Sequence, residues 1–136
     1  MHETSRRVLF FEDEAPAQLL VGDILRSAGY EVTSVARGVD VLREVRERPP
    51  DIVISDLNVP GLDGNQVISM LRRSGSFEGP IVVLSGRSRD EDKREAFEAG
   101  AQAYLCKPVN RAELLDTVAR LLAAPANPAP DPRPPA

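Results

Sequence analysis

The chain holds one cysteine, one histidine and no tryptophan in 136 residues. A single cysteine excludes an intrachain disulfide and suits a reducing, cytoplasmic compartment. One histidine, His2 at the terminus, and one cysteine cannot furnish a zinc site of the usual nitrogen and sulfur kind. No apolar run comes near the roughly 20 residues needed to span a bilayer, so membrane insertion is not expected. Residues 1–7 lack the apolar core of a secretory leader. Positive charge is not in excess either: 17 Lys and Arg face 21 Asp and Glu, for a net charge of −4. That balance argues against direct nucleic-acid binding, which asks for a basic footprint.

What the chain does have is a set of short, continuous apolar runs that each end in a reactive side chain. Val8-Leu9-Phe10-Phe11 ends in Glu12-Asp13, Ile52-Val53-Ile54-Ser55 in Asp56, and Ile81-Val82-Val83-Leu84 in Ser85. A more mixed run, Ala103-Tyr104-Leu105-Cys106, ends in Lys107-Pro108. Uninterrupted runs of this length fit strands covered on both faces, as in a parallel sheet. Parallel strands point their carboxyl ends the same way, so three carboxylates, a hydroxyl and an ammonium converge on one rim, where open α/β sheets bind ligands.

Between the runs lie helical signals. Pro16 suits a first helical turn, with Leu20, Ile24 and Leu25 as the apolar face and Gly29 as the stop. Glu31 to Val35 reads as a short strand. Val41, Leu42 and Val45 mark a second helix ended by Pro49-Pro50. Residues 58–64 are loop chemistry, and Val67, Ile68 and Leu71 carry a third helix. Ser88 with Glu91 predicts a capping box for a fourth helix, with Ala96, Phe97 and Ala99 as its apolar positions and Gly100 as its stop. Asn110 with Glu113 stands in the same relation before a fifth, whose apolar stripe is Leu114, Leu115, Val118, Leu121 and Leu122. Five strands alternating with five helices predict one doubly wound α/β domain over residues 1–123. From residue 124 six of the last thirteen residues are proline, which predicts an extended tail or linker. Cys106 is expected to be a small buried residue at a strand end.

The rim residues define a chemistry. Glu12, Asp13 and Asp56 cannot all be ionised side by side without protons or a cation to offset their repulsion. Oxygen ligands without histidine or thiolate favour Mg²⁺, which keeps waters and leaves positions for a phosphoryl oxygen. With Lys107 as a second cation and Ser85 as a hydroxyl donor, the set can hold a phosphoryl group, one carboxylate acting as nucleophile.

Four motifs, Phe11-Glu12-Asp13-Glu14, residues 56–64 (Asp-Leu-Asn-Val-Pro-Gly-Leu-Asp-Gly), Leu84-Ser85-Gly86 and Ala103-Tyr104-Leu105-Cys106-Lys107-Pro108, together resemble the receiver domain of two-component response regulators, especially stand-alone receivers of the chemotaxis type. The likeness runs from about Arg7 to Leu122. It implies a flavodoxin-like five-stranded sheet of order 2-1-3-4-5. It also implies that Asp56 accepts a phosphoryl group from a sensor histidine kinase or phosphotransfer protein. Asp13, Asp56 and the Asn58 carbonyl would bind Mg²⁺ directly, and Glu12 through a water. Lys107 would pair with the phosphoryl group, Ser85 would close on it, and Tyr104 would turn inward with Ser85. A cis Lys107-Pro108 bond is implied too. The fourth helix, fifth strand and fifth helix would form the face that a downstream protein, or a second copy of the chain, reads; Lys93, Arg94 and Tyr104 belong to it. Glu12 stands where Asp is commoner in that family, and Ser85 where Thr is. The rival expectations are a pseudo-receiver that is never phosphorylated and binds constitutively, and a receiver cut from a larger regulator or hybrid kinase. A haloacid-dehalogenase-like phosphatase is disfavoured because Asn58 stands where it needs an acid. A flavodoxin-like electron carrier is disfavoured because the loop after the first strand is acidic.

Overall fold

The computed structural model describes residues 6–12, 14–56, 64–87 and 89–123. Its strands are β1 (Arg7–Phe11), β2 (Glu31–Val35), β3 (Ile52–Asp56), β4 (Ile81–Ser85) and β5 (Ala103–Cys106). They alternate with helices α1 (Ala15–Ser27), α2 (Gly38–Glu47), α3 (Gly64–Arg73), α4 (Asp90–Ala99) and α5 (Arg111–Ala123). All four strand pairings are parallel, in the order β2-β1-β3-β4-β5, as the sequence pattern and the resemblance imply. Among the described residues no helix is long and apolar enough to cross a membrane.

The apolar runs are continuous because each strand is covered on both sides. Successive side chains on a strand face opposite ways. Val8, Phe10, Ile52, Ile54, Val82 and Leu84 pack with Val21, Leu25, Leu114 and Val118, so α1 and α5 cover that face. Leu9, Phe11, Val53, Ile81 and Val83 pack with Val41, Val45, Val67, Leu71 and Ala96, so α2, α3 and α4 cover the other. Phe10, Phe11, Ile52 and Ile54 are fully buried, and each such side chain contributes about 1.5–3 kcal/mol of transfer free energy. β2 is an edge strand and only half-buried, which is why its sequence is the most mixed.

Three local expectations change. Leu20 is 57% exposed rather than part of the apolar face of α1. The buried arc centres on Val21 and Leu25, one turn apart, with Gly22 and Ile24 beside them, and Leu20 falls outside it. The cap position of α4 is Arg89, one residue later than expected, and it makes no side-chain cap bond; Ser88 lies outside the described residues. Phe97 is half-buried and belongs to neither core cluster. The cap of α5 is as expected: the Glu113 N–H donates to Asn110 Oδ1 at 2.9 Å. Gly29 and Gly100 adopt φ of +98° and +128° after their helices, a region that glycine enters without a Cβ penalty.

Candidate phosphoryl site

Register brings the reactive residues to one rim. Phe11 pairs with Ser55, so Glu12 and Asp56 each stand one residue beyond that pair on neighbouring strands. Asp56 pairs with Leu84 and Ser85 with Cys106, which puts Ser85 and then Lys107 at the same end. The Lys107 N–H donates to the Ser85 carbonyl at 2.7 Å, extending the ladder by one rung. The Lys107-Pro108 bond is cis, as implied by the resemblance.

Lys107 Nζ donates to Asp56 Oδ2 at 2.7 Å and stands 3.7 Å from Glu12 Oε1. Glu12 and Asp56 are 1% and 2% exposed, so this is a charged cluster sealed from most water. Glu12 is positioned by three hydrogen bonds: its N–H donates to the Val35 carbonyl at 2.9 Å, the Glu14 N–H donates to its Oε2 at 3.2 Å, and Gln18 Nε2 donates to its carbonyl. Its other carboxyl oxygen, Oε1, is buried with no hydrogen-bond partner. Burial first, and then the neighbouring Asp56 carboxyl, push the Glu12 carboxyl up from 4.5 to about 7, against the pull of the Glu14 N–H and Lys107. For Lys107 the lowering effect of burial is outweighed by Asp56 and Glu12, and its ammonium is held above the ordinary lysine value.

Two buried carboxylates share one ammonium, which hydrogen-bonds Asp56 and leaves Glu12 Oε1 with only a longer ion pair, so a proton or a further cation would offset the remaining charge. The donor set is oxygen only and fits a hard divalent ion such as Mg²⁺. Among the described residues no three His, Cys, Asp or Glu side chains gather around one point. The third expected carboxylate, Asp13, and the expected carbonyl ligand, Asn58, lie outside the described residues.

Ser85 is fully buried, and its Oγ accepts the Arg87 N–H at 3.0 Å. The Ser85 hydroxyl also hydrogen-bonds toward the Tyr104 oxygen, which pulls against the effect of burial on that phenol. The Tyr104 hydroxyl donates to the Arg87 carbonyl at 2.8 Å, and burial raises the pKa of this phenol. The backbone of Arg87 thus touches the buried hydroxyl with its N–H and the half-buried aromatic with its C=O. Sequence reasoning does not reveal this link, because a backbone contact leaves no trace in residue type. It also misses Asp92, a buried acid in the first turn of α4 that accepts from Arg89 Nε at 3.2 Å. Flanked by Asp90 and Glu91, it looks like one more solvated charge. Cys106 is half-buried rather than buried, since the strand end faces the loop at Arg87.

This fold, with a buried carboxylate pair, a hydroxyl and an ammonium at the carboxyl ends of its strands, defines a doubly wound α/β module of the receiver type. The model of the response regulator receiver domain matches residues 8–119, and the chain belongs to that family. A transcriptional regulatory protein, PrrA of Mycobacterium tuberculosis, is 40% identical over 119 residues, covering 88% of this chain and 51% of PrrA. The chain therefore spans about half the length of such curated relatives. The chemotaxis protein CheY4 of Vibrio cholerae superposes with a TM-score of 0.82 at 31% identity, covering 87% of this chain and 99% of CheY4. The receiver domain of the sensor histidine kinase PA1611 of Pseudomonas aeruginosa, solved with magnesium in its active-site cleft, gives 0.81 at 30% identity, over 89% and 100% of the two chains.

Proposed function

We propose that the chain is a phosphorylation-activated switch in which Asp56 is the acceptor. A carboxylate oxygen of Asp56 attacks the phosphorus of a phosphohistidine on a sensor kinase or phosphotransfer protein. The O–P bond forms as the N–P bond breaks, and the electron pair returns to the imidazole. The observation that carries this reading is the sealed cluster itself: Lys107 Nζ 2.7 Å from Asp56 Oδ2, beside an orphaned Glu12 oxygen. Mg²⁺ would be held by Asp13, Asp56 and the Asn58 carbonyl, with Glu12 acting through a water, and when bound it supplies positive charge against the crowded oxygens. Lys107 transfers its contact from the carboxylate to the phosphoryl oxygens, and Ser85 donates its hydroxyl to another.

Phosphorylation at Asp56 adds charge and acceptor oxygens that favour the arrangement in which Ser85 and Lys107 close. Through the Arg87 backbone that change reaches Tyr104, on the face built by α4, β5 and α5. A downstream protein or a second copy of the chain reads this face, where Arg94 is exposed and Lys93 and Tyr104 half-buried. Residues 124–136 are read as a proline-rich tail or linker following a receiver domain of residues 1–123, and the compartment as cytoplasmic.

Intact-protein mass measurement after incubation with acetyl phosphate and Mg²⁺ tests the acceptor. A single phosphoryl adduct is expected in the wild type, lost on chelating Mg²⁺ and lost in Asp56→Asn. No adduct on folded wild-type protein would replace this reading with a constitutive binding module.

A further inference from the structure

The two ends of α4 are held very differently. At the end nearest Ser85, the cap residue Arg89 gives no side-chain cap, and the first turn is fastened by the Arg89–Asp92 pair. At the far end, the Gly100 N–H bonds back to Ala96 and Phe97, and the Ala101 N–H to Ala96. There the Arg72 side chain, from the last turn of α3, gathers the surroundings. Its Nε and Nη2 donate to the Gly100 carbonyl at 3.1 and 2.8 Å, and its Nη1 donates to the Phe77 carbonyl at 3.1 Å. Nη2 also donates to Gln102 Oε1 at 2.8 Å, an oxygen that in turn accepts the Ile81 N–H at 2.8 Å. The guanidinium lies 5.9 Å from the centre of the Phe77 ring. Any side chain at Gly100 would place its Cβ 2.7 Å from Arg72 Cγ, so the clasp also requires the glycine. Four segments meet at one guanidinium: the end of α3, the α3–β4 loop, the start of β4 and the turn from α4 into β5.

We infer that Arg72 is the pivot of α4. It pins the far end of the helix to α3 and to the starts of β4 and β5. A displacement that begins at Ser85 and Arg87 is therefore delivered as a swing of the near end of α4, not as a slide of the whole helix. This rests on the reading of Asp56 as phosphoacceptor, since the swing needs a phosphoryl group to drive it. Arg72 touches neither that group nor any residue of the site; it is a positioning residue.

The test uses beryllofluoride with Mg²⁺ as the phosphoryl mimic on the full chain. Binding is read directly from the fluorine resonance of the bound mimic. Motion is read by amide exchange, and by fluorine NMR of protein labelled with fluorotyrosine, which gives one signal each for Tyr30 and Tyr104. In the wild type, the mimic is expected to alter exchange in residues 86–93, leave 96–102 unchanged and shift the Tyr104 signal. In Arg72→Met the mimic still binds. Exchange at 96–102 becomes about tenfold faster as the clasp is lost, and the mimic-induced Tyr104 shift shrinks because the helix yields at both ends. Gln102→Met, which removes one partner of Arg72, is expected to do the same to a lesser degree, and it carries the test if Arg72→Met does not fold. A Tyr104 shift of wild-type size in the variants would overturn the pivot and leave Arg72 a stabilising residue alone. So would a wild-type response as large at 96–102 as at 86–93. Absence of bound mimic in the wild type would overturn the phosphoacceptor reading, and the pivot with it.

Discussion

Two partly buried cations sit at opposite ends of this sheet, and they are held in opposite ways. Lys107, at the carboxyl ends of the strands, is paired with charges: the carboxylates of Asp56 and Glu12. Arg72, at the other end, is paired with dipoles: two backbone carbonyls and an amide oxygen. Partners that titrate or take up other ligands can release a cation, whereas partners that do neither hold it under all conditions. The same contrast runs through the sites as wholes. The Lys107 end keeps a buried carboxylate oxygen that makes no hydrogen bond, while the Arg72 end is a hydrogen-bonded clasp.

The largest effect should come from breaking the neutral end. Arg72→Met leaves the Gly100 and Phe77 carbonyls without their side-chain donor and Gln102 Oε1 with the Ile81 N–H alone. It is expected to cost about 2–4 kcal/mol in denaturant unfolding, by nearly the same amount at every pH near neutrality, because none of its partners titrates there. A cost that changed with pH would end the comparison.

The charged end should respond to pH in the unmodified protein. Glu12 binds its proton more tightly folded, at about 7, than at its ordinary 4.5. Its contribution to stability is thus fully present below the lower value and lost as pH rises through the upper one. In metal-free protein the unfolding free energy is expected to fall by about 1–2 kcal/mol between about pH 5.5 and 7.5, and Glu12→Gln should flatten that slope. Added Mg²⁺ should raise stability most at the high-pH side, where the proton no longer competes for the carboxylate.

Lys107→Met sharpens the contrast further. With the ammonium gone, the carboxyls can recover by taking up a proton only where protons are abundant. The substitution should therefore cost about 1 kcal/mol more at about pH 8 than at about pH 5.5, measured by the same unfolding curves. The smallest effect concerns the two helices that start beside the site. Asn110 caps α5, so Asn110→Ala should lower stability by about 0.5–1 kcal/mol, while Arg89→Ala removes no cap from α4 and acts only through its lost pair with Asp92.

Much of this molecule is legible in its residues. The strands show as apolar runs because both sheet faces are covered, and the reactive residues show because each closes such a run. What stays hidden depends on contacts that residue type does not encode. Arg72 reads as one of two adjacent arginines at a helix end, and only packing distinguishes it from its solvated neighbour Arg73. Arg87 acts through its peptide group. Asp92 is buried by tertiary packing in a run of acids. Leu20 fits the helical period, yet it falls outside the buried arc because Val21 and Leu25 define that arc.

Glu12, Asp56, Ser85 and Lys107 are delivered by four strands whose mutual register is fixed by their ladders. The arrangement therefore belongs to the alignment of strands more than to any one of them. A single residue inserted within β3 would reverse every side chain beyond it and carry Asp56 away from Lys107, while every reactive residue stayed in the chain. Insertions in the α1–β2 and α2–β3 turns, at the opposite end and away from the Arg72 clasp, would leave that alignment alone. Over time, length variation in such a chain should accumulate in those two turns and be purged from the strands.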